Sequence, residues 1–269
     1  MSLPQLAIPF VKANACGNDF LLIDLANLPR DANLAELTCN ICDRHLGVGA
    51  DGVEWMSGHA SADVEVRLIN ADGSEAEISG NGTRCVAAYI CATRDKEEIK
   101  IQTGAGLKTC TLMSRTESEY EFEAEMGHAE VGELLDVQIS AGTVSGVPVS
   151  LGNPHYVVFV PEFAPDWQLR AAEIQRSSKF PHGVNVEMVL VENKNNVAVR
   201  FFERGVGETQ SSGTGSCASA IAAIAADRAA SPVRVHAIGG MQTVRVEQGS
   251  VFLRGPAQLV CRGEFFLAA

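Results

Sequence analysis

The alternation of apolar and polar side chains predicts a series of short β-strands along the chain. Residues 64–69 (VEVRLI) alternate as a half-buried strand does, and the Asp72-Gly73 pair that follows is typical of a tight turn. Other short apolar runs, bounded by polar or glycine residues, predict further strands. These runs are 21–24, 99–103, 156–160, 197–202, 233–236, 243–246 and 251–253.

Two segments depart from this strand pattern and predict helices. Residues 83–95 place apolar side chains at helical spacing, and residues 216–230 are rich in alanine and apolar on nearly all sides. A helix that is apolar all round lies inside a protein rather than on its surface. We therefore expect a mixed α/β (α+β) fold in which strands wrap around buried helices.

The chain repeats itself at about half its length. The pattern E-x-x-x-S-G-x-G occurs at 75–82 and at 208–215, and Gly-Asn pairs precede the strand-like runs that follow Asn18 and Asn153. Two matches at nearly the same offset predict two similar domains. We assign residues 1–118 to the first and 119–261 to the second, with the polar stretch 114–119 as the junction. A C-terminal strand, 262–269, is expected to return to the first domain.

Composition and charge narrow the class of protein. The 269 residues carry 33 acidic and 21 basic side chains, a net charge of −12, without a Lys/Arg cluster. This argues against nucleic acid or a membrane as a partner. No signal peptide or long apolar run is visible, and the eight cysteines are scattered, with Cys39 and Cys42 lacking the second pair that zinc needs. We expect a cytoplasmic globular enzyme without a metal.

Each S-G-x-G stands directly before a predicted helix. Glycine there lets backbone N–H groups approach a ligand, and a helix N-terminus favours an anion such as a carboxylate. A single motif of this kind is equally well explained as a turn and N-cap. Its duplication favours a cleft between two helix N-termini, which suits a reaction needing one group on each face of a substrate carbon.

Further polar residues stand at the ends of strand-like runs. Asparagines at such positions are often plain turn residues. Arg204, next to Glu203, could fork onto a substrate carboxylate or form a structural ion pair. His155 is a candidate partner for a carboxylate, although a lone histidine is more often structural. The asparagines concerned are Asn18, Asn70, Asn153 and Asn185.

Taken together, these motifs closely resemble the diaminopimelate epimerase family from about residue 10 to residue 263. The matching strings are GNDF (17–20), RHLGVGADG (44–52), NADGSE (70–75), GNG (80–82), RC (84–85), GNPH (152–155), VNV (184–186), ERGVGET (203–209), GTG (213–215) and GPA (255–257).

The resemblance implies both a fold and an activity. It implies two pseudo-symmetric domains, each a mixed, mostly antiparallel sheet around a central helix. It also implies a cofactor-independent epimerase that needs no pyridoxal phosphate and converts LL- to meso-diaminopimelate, a precursor of lysine and peptidoglycan. The substrate would be a small amino acid. Members of the family are often dimeric, so the resemblance also implies a possible homodimer.

The resemblance also assigns roles to residues. The two family cysteines that exchange the α-proton correspond to Ser79 and Ser212, with His155 and Glu203 beside them. The remaining matches would hold the substrate, by its reacting carboxylate or by its distal amino-acid end. These substrate-binding residues are Asn18, Asn70, Gly80, Asn81, Asn153, Asn185, Glu203, Arg204, Gly213 and Thr214.

The two serines alter the expected chemistry. A cysteine thiol ionises readily at a helix N-terminus, whereas a serine hydroxyl ordinarily needs an adjacent base, for which Glu75, Glu208 and His155 are candidates. We therefore expect weak or altered epimerase activity. Two alternatives stay open: a related isomerase or dehydratase acting on another amino or hydroxy acid, and an amino-acid-binding protein that is non-catalytic or engineered to trap substrate.

Overall fold

The computed structural model describes residues 6–267, which form two compact units. The first unit contains residues 6–124 and 256–267, and the second contains residues 125–255. Each is a mixed, mostly antiparallel sheet packed around one buried helix, so the predicted fold class is confirmed. Residues 1–5 of the predicted first domain and residues 268–269 of the predicted returning strand lie outside the described residues.

The first unit is built from one continuous segment and a strand from the end of the chain. Its elements are β1 (Leu6–Ala15), β2 (Asn18–Asp24), a 3-10 turn (Leu25–Asn27), α1 (Leu34–Cys42), β3 (Gly52–Ser57), β4 (Val64–Asn70), β5 (Glu75–Ala76), α2 (Gly80–Arg94), β6 (Glu98–Thr103), β7 (Gly106–Arg115) and β8 (Glu119–His128), whose last residues enter the second unit.

The second unit follows directly. Its elements are β9 (Glu130–Val131), β10 (Leu135–Ile139), β11 (Gly142–Ser150), β12 (Pro154–Phe159), α3 (Trp167–Gln175), β13 (Asn185–Asn193), β14 (Asn196–Glu203), β15 (Gly207–Thr209), α4 (Gly213–Ala225), β16 (Val233–Ala237), β17 (Gly240–Glu247) and β18 (Ser250–Leu267), whose second half belongs to the first unit.

The strand pairings of the first unit are repeated in the second. In the first unit, β2 pairs antiparallel with β1 and parallel with β3, and β4 pairs antiparallel with β3 and parallel with β6. In the second unit, β12 does the same with β11 and β13, and β14 with β13 and β16. The internal repeat in the sequence therefore corresponds to a duplicated topology, with α2 equivalent to α4.

The central helices are buried because each packs small and apolar side chains against the surrounding sheet, and α2 buries Asn81 and Arg84 as well. The core around α2 contains Val86 and Ile90 from the helix and Phe20 and Leu68 from the strands. The core around α4 is formed in the same way by its alanines and by Val157, Val199 and others. Helix α1 packs outside the first sheet, where it covers Trp55 and its neighbours.

The helix bounds differ from those predicted. Both helices begin three residues earlier, at Gly80 and Gly213, because the serine before each glycine already caps the first turn. Helix α4 ends at Ala225 rather than at residue 230, since Asp227 adopts a left-handed backbone conformation (φ 54°) that ends the helix. The polar stretch 114–119 lies at the turn between β7 and β8. Within residues 6–267, no helix is both long and apolar enough to cross a membrane.

Candidate active site

Ser79 and Ser212 occupy the same local position in the two units. Each has extended backbone angles and serves as the N-cap of its helix. The Ser79 Oγ accepts a hydrogen bond from the Gly82 amide at 3.1 Å, and the Ser212 Oγ accepts one from the Gly215 amide at 3.2 Å. The amides of the first two helical positions have no carbonyl acceptor within the helix, so a carboxylate can bind at this end.

Ser212 has a second partner that makes its environment chemically different. Its hydroxyl donates a hydrogen bond to the Glu203 Oε1 at 2.7 Å, and Ser212 itself is only 5% exposed. Glu203 is the last residue of β14. The last residue of the equivalent strand β4 is Asn70, whose amide donates to the Ser74 Oγ at 3.0 Å. Ser212 and Glu203 therefore form a serine–carboxylate pair, in which the hydroxyl proton can move to the Glu203 carboxylate.

The candidates that the sequence offered as bases have other partners. Glu75 is exposed and forms a bidentate ion pair with Arg67. Glu208 accepts a hydrogen bond from the Gln168 side chain at 3.2 Å. The carboxyl group that contacts the Ser212 hydroxyl is that of Glu203.

His155 forms a buried pair with Glu187. The His155 Nδ1 lies 2.7 Å from the Glu187 Oε1, and both residues are no more than 1% exposed. Burial raises the pKa of Glu187, and the His155 ring opposes this shift. The other ring nitrogen lies 3.1 Å from the Asn153 Oδ1, and the Asn153 amide donates to the Thr214 Oγ1 at 3.2 Å. The buried pair therefore orients Asn153 at the first turn of α4.

Asn185 fixes the segment that carries Arg204. The Asn185 Oδ1 accepts a hydrogen bond from the Arg204 backbone amide at 2.8 Å, and its Nδ2 donates to the Pro154 carbonyl at 3.2 Å. The Arg204 guanidinium donates to the carbonyl of His182 at 3.0 Å. The expected contact of Arg204 with a substrate carboxylate stays a prediction.

A hydrogen-bonded chain holds the polar residues of the first unit. Buried Arg84 donates to the Asn81 Oδ1 at 2.5 Å, and the Asn81 amide lies 3.5 Å from the Asn18 Oδ1. Asn18 in turn donates to the Asp51 Oδ2 at 2.6 Å, and Arg44 binds Asp51 at 2.8 Å. The chain therefore joins the first turn of α2 to the start of β2.

Asp19 anchors the other end of this network. Burial alone would raise the pKa of Asp19, but hydrogen bonds and charges from Arg44 and Lys12 offset it and lower the pKa overall. Asp19 is thus held as a carboxylate between two cations. Because Arg44 also binds Asp51, the network keeps Asn18 in one orientation.

Sequence reasoning missed Glu54, Glu187, Asp51 and Arg84. Glu54 and Glu187 are buried on the equivalent strands β3 and β13. A signal was available, since the dipeptide Val-Glu at 53–54 recurs at 186–187 with the same offset as the two serines. A buried ionisable residue at the same place in two equivalent strands indicates a function rather than a solvated face.

The duplicated fold defines a structural class that includes proteins of known structure. Solved structures that share it include a PhzF-family phenazine biosynthesis protein from Bacillus anthracis (TM-score 0.70, 17% identity, 96% of this chain and 98% of that chain) and a hydroxyproline epimerase from Agrobacterium vitis (TM-score 0.67, 15% identity, 98% and 92%).

The sequence narrows this class to one family. The family model described as diaminopimelate epimerase matches residues 10–131 and 147–260. The diaminopimelate epimerase of Agathobacter rectalis is 35% identical over 280 residues, covering 95% of this chain and 98% of the relative. The chain belongs to the diaminopimelate epimerase family, a family of cofactor-independent isomerases, and the predicted resemblance is confirmed.

Proposed function

We propose that the protein epimerises diaminopimelate between its LL and meso forms, without a cofactor, and that it does so slowly. The observation that carries this proposal is the pair of serine-capped helix starts, one in each unit, in a chain of this family. Each helix start offers amides to a carboxylate and places one hydroxyl beside them. Epimerisation requires one group that removes the α-proton and another that delivers a proton to the opposite face.

The residues divide into two proposed roles. Ser79 and Ser212 take the positions of the two proton-exchanging groups, supported by His155 and Glu203. The backbone amides at Gly80, Asn81, Gly213 and Thr214 bind the carboxylate of the reacting centre. The distal amino-acid end of the substrate is held by Asn18, Asn70, Asn153, Asn185 and Arg204, together with Glu203.

The serines limit the rate because a hydroxyl is a far weaker acid than a thiol. One positioned acid or base contributes roughly 10² to 10⁴ in rate, and here both groups are changed. Glu203 partly compensates for the weak acidity of the Ser212 hydroxyl. As the Ser212 Oγ takes the α-proton, the hydroxyl proton moves to the Glu203 Oε1, 2.7 Å away. The helix-end amides also stabilise the negative charge that develops on the substrate.

Exchange of the α-proton with deuterated water tests the proposal. We would compare the protein with the double variant Ser79→Cys, Ser212→Cys on LL- and meso-diaminopimelate, and expect a large gain in the variant. Glu203→Gln should lower the exchange rate of the serine form by roughly 10²-fold or more, because Ser212 loses its proton acceptor. Equal exchange rates in the serine and cysteine forms would show that the absence of thiols at these two positions does not limit the reaction.

A binding measurement separates the remaining functions. Calorimetric titration should show a preference for meso-diaminopimelate over monoamino acids, since only the longer ligand has a second amino-acid end. Binding without exchange, even in the cysteine form, would favour an amino-acid-binding protein. Exchange only on another amino or hydroxy acid would favour a related isomerase or dehydratase. The proposed homodimer is tested by sedimentation, and the proposed cytoplasmic location by fractionation.

A further inference from the structure

Glu54 is a buried acid that the proposed mechanism does not use. It lies in the middle of β3 and is 2% exposed. Its neighbours across the two flanking strands are Leu22 of β2 and Leu68 of β4, both part of the apolar core around α2. Burying a carboxyl group among apolar side chains costs free energy of folding, so its presence here indicates a functional use.

The Glu54 carboxyl group lies beneath the first turn of α2, next to the capping serine. A Cβ added to Gly82 would overlap the Glu54 Oε1, and the same point is 3.3 Å from the Ser79 Cβ. The acid and the serine therefore approach one another at Gly82, one of the two glycines in this turn. These two contacts put the Glu54 Oε1 within about 5 Å of the Ser79 Cβ, a separation that one bridging water can span.

The surroundings of Glu54 favour its neutral form. Burial raises the pKa of Glu54 to about 8. The strands on either side of Glu54 contribute Leu22 and Leu68. Helix α2 contributes the Cys85 thiol, whose pKa is raised by burial and further raised by the nearby Glu54. Arg84 of α2 binds the Asn81 side chain and the Gly80 carbonyl. These surroundings favour the protonated form of Glu54 at neutral pH.

The second unit shows what is particular to Glu54. The equivalent residue Glu187 is paired with His155 and has one oxygen, Oε1, 3.0 Å from where a Gly215 Cβ would lie. The strand register puts Phe20 at the place equivalent to His155. Without a histidine partner, the carboxyl group of Glu54 is left with its own proton beside Ser79.

We propose that Glu54 is a positioning residue that supplies and recovers the proton of the Ser79 hydroxyl. This rests on the proposed epimerase function. When the Ser79 O–H bond breaks and a C–H bond forms at the substrate carbanion, the Glu54 O–H bond breaks and its proton moves to the Ser79 Oγ, leaving a Glu54 carboxylate. In the reverse direction, the same proton returns to Glu54 as the Ser79 Oγ takes the α-proton.

A pH profile distinguishes this role from a structural one. In the reaction direction in which Ser79 delivers the proton, the kcat/KM of the serine protein should fall as the pH rises through about 8. Glu54→Gln should both lower this kcat/KM by roughly 10²-fold and remove its alkaline limb. The matched control is Glu65→Gln, an exposed glutamate on β4, which should change neither. A Glu54→Gln protein with the original rate and the original limb would overturn the proposal while leaving the epimerase function standing.

A second measurement needs no turnover. The infrared C=O stretch of a protonated carboxyl group should be present at pH 7, absent in Glu54→Gln, and shifted by Ser79→Ala if the hydroxyl contacts it. A band that Ser79→Ala leaves unchanged would overturn the link between Glu54 and Ser79 whatever the substrate is. If the band shifts but no diaminopimelate exchanges, the link holds and the substrate assignment fails.

Discussion

At the scale of single residues, the two units use the same buried glutamate in different ways. Glu187 is stabilised by His155 at 2.7 Å, whereas the neighbours of Glu54 across the sheet are leucines. Burying a carboxyl group among apolar side chains costs free energy, and proteins retain such a group mainly at functional sites. The difference between the units is therefore a chemical one, produced by Phe20 standing in place of a histidine.

Because burying Glu54 raises its pKa, the free energy of unfolding should depend on pH. The pKa of Glu54 rises from 4.5 to about 8 on folding, so between about pH 5 and 8 the unfolded chain has lost this proton and the folded chain keeps it. Rising pH then favours unfolding by up to about 1.4 kcal/mol per pH unit, and the loss levels off above pH 8. Glu54→Met, of similar size, should raise the free energy of unfolding by more at pH 8 than at pH 5.

Denaturant titrations at several pH values measure this effect. Glu65→Gln is the control, because Glu65 is an exposed glutamate on the neighbouring strand β4. A constant difference between Glu54→Met and the parent protein from pH 5 to pH 8 would contradict a neutral buried acid.

At the scale of elements, the serines have a structural use apart from catalysis. Each hydroxyl caps a helix by accepting an amide hydrogen bond, a role that serine fills well and that a thiol, a weak acceptor, fills poorly. The same residue therefore serves the start of the helix and the exchange of the proton. Replacing it shifts the balance between stability and rate.

Single substitutions should separate these two uses. Ser79→Ala should lower the free energy of unfolding by about 1 kcal/mol, and Ser212→Ala by more, because Glu203 also loses its donor. Ser79→Cys should cost part of this while increasing α-proton exchange. Ser178→Ala, in an exposed turn, is the control. If the cysteine variants are as stable as the parent in denaturant titrations, the stability that each N-cap contributes does not depend on the strength of the hydrogen-bond acceptor.

The elements also show how far the sequence could be interpreted. The sequence predicts the strand at 64–69 from its alternation, the first buried helix from its helical spacing and the second from its all-round apolarity, because all three depend on local pattern alone. The start of each helix was missed because glycine disfavours a helix interior but is favoured at a first turn where a carboxyl group lies close, as at Gly82. The Ser212–Glu203 bond depends on where a strand ends relative to a helix, which no spacing rule gives.

At the scale of the whole molecule, the two units differ in how the chain builds them. The second unit is one continuous segment, 125–255, whereas the first needs residues from both ends of the chain. Strand β1 pairs with β18 from Leu6 opposite Leu267 to Asn14 opposite Gln258. The first unit can therefore be completed only after the C-terminal strand has been made, so damage to that strand should affect the first unit selectively.

Two adjacent phenylalanines on β18 test this dependence. Phe265 pairs with fully buried Ile8 and packs against the core beneath α1, while Phe266 is 51% exposed. We expect Phe265→Ala to destabilise the protein by about 1–3 kcal/mol, and Phe266→Ala to have little effect. Amide hydrogen exchange should show lost protection in β1 and β2 for Phe265→Ala, with β13 and β14 protected as before. Equal loss in both units would mean that they unfold as one cooperative structure, and an effect of Phe266→Ala as large as that of Phe265→Ala would remove burial as the cause.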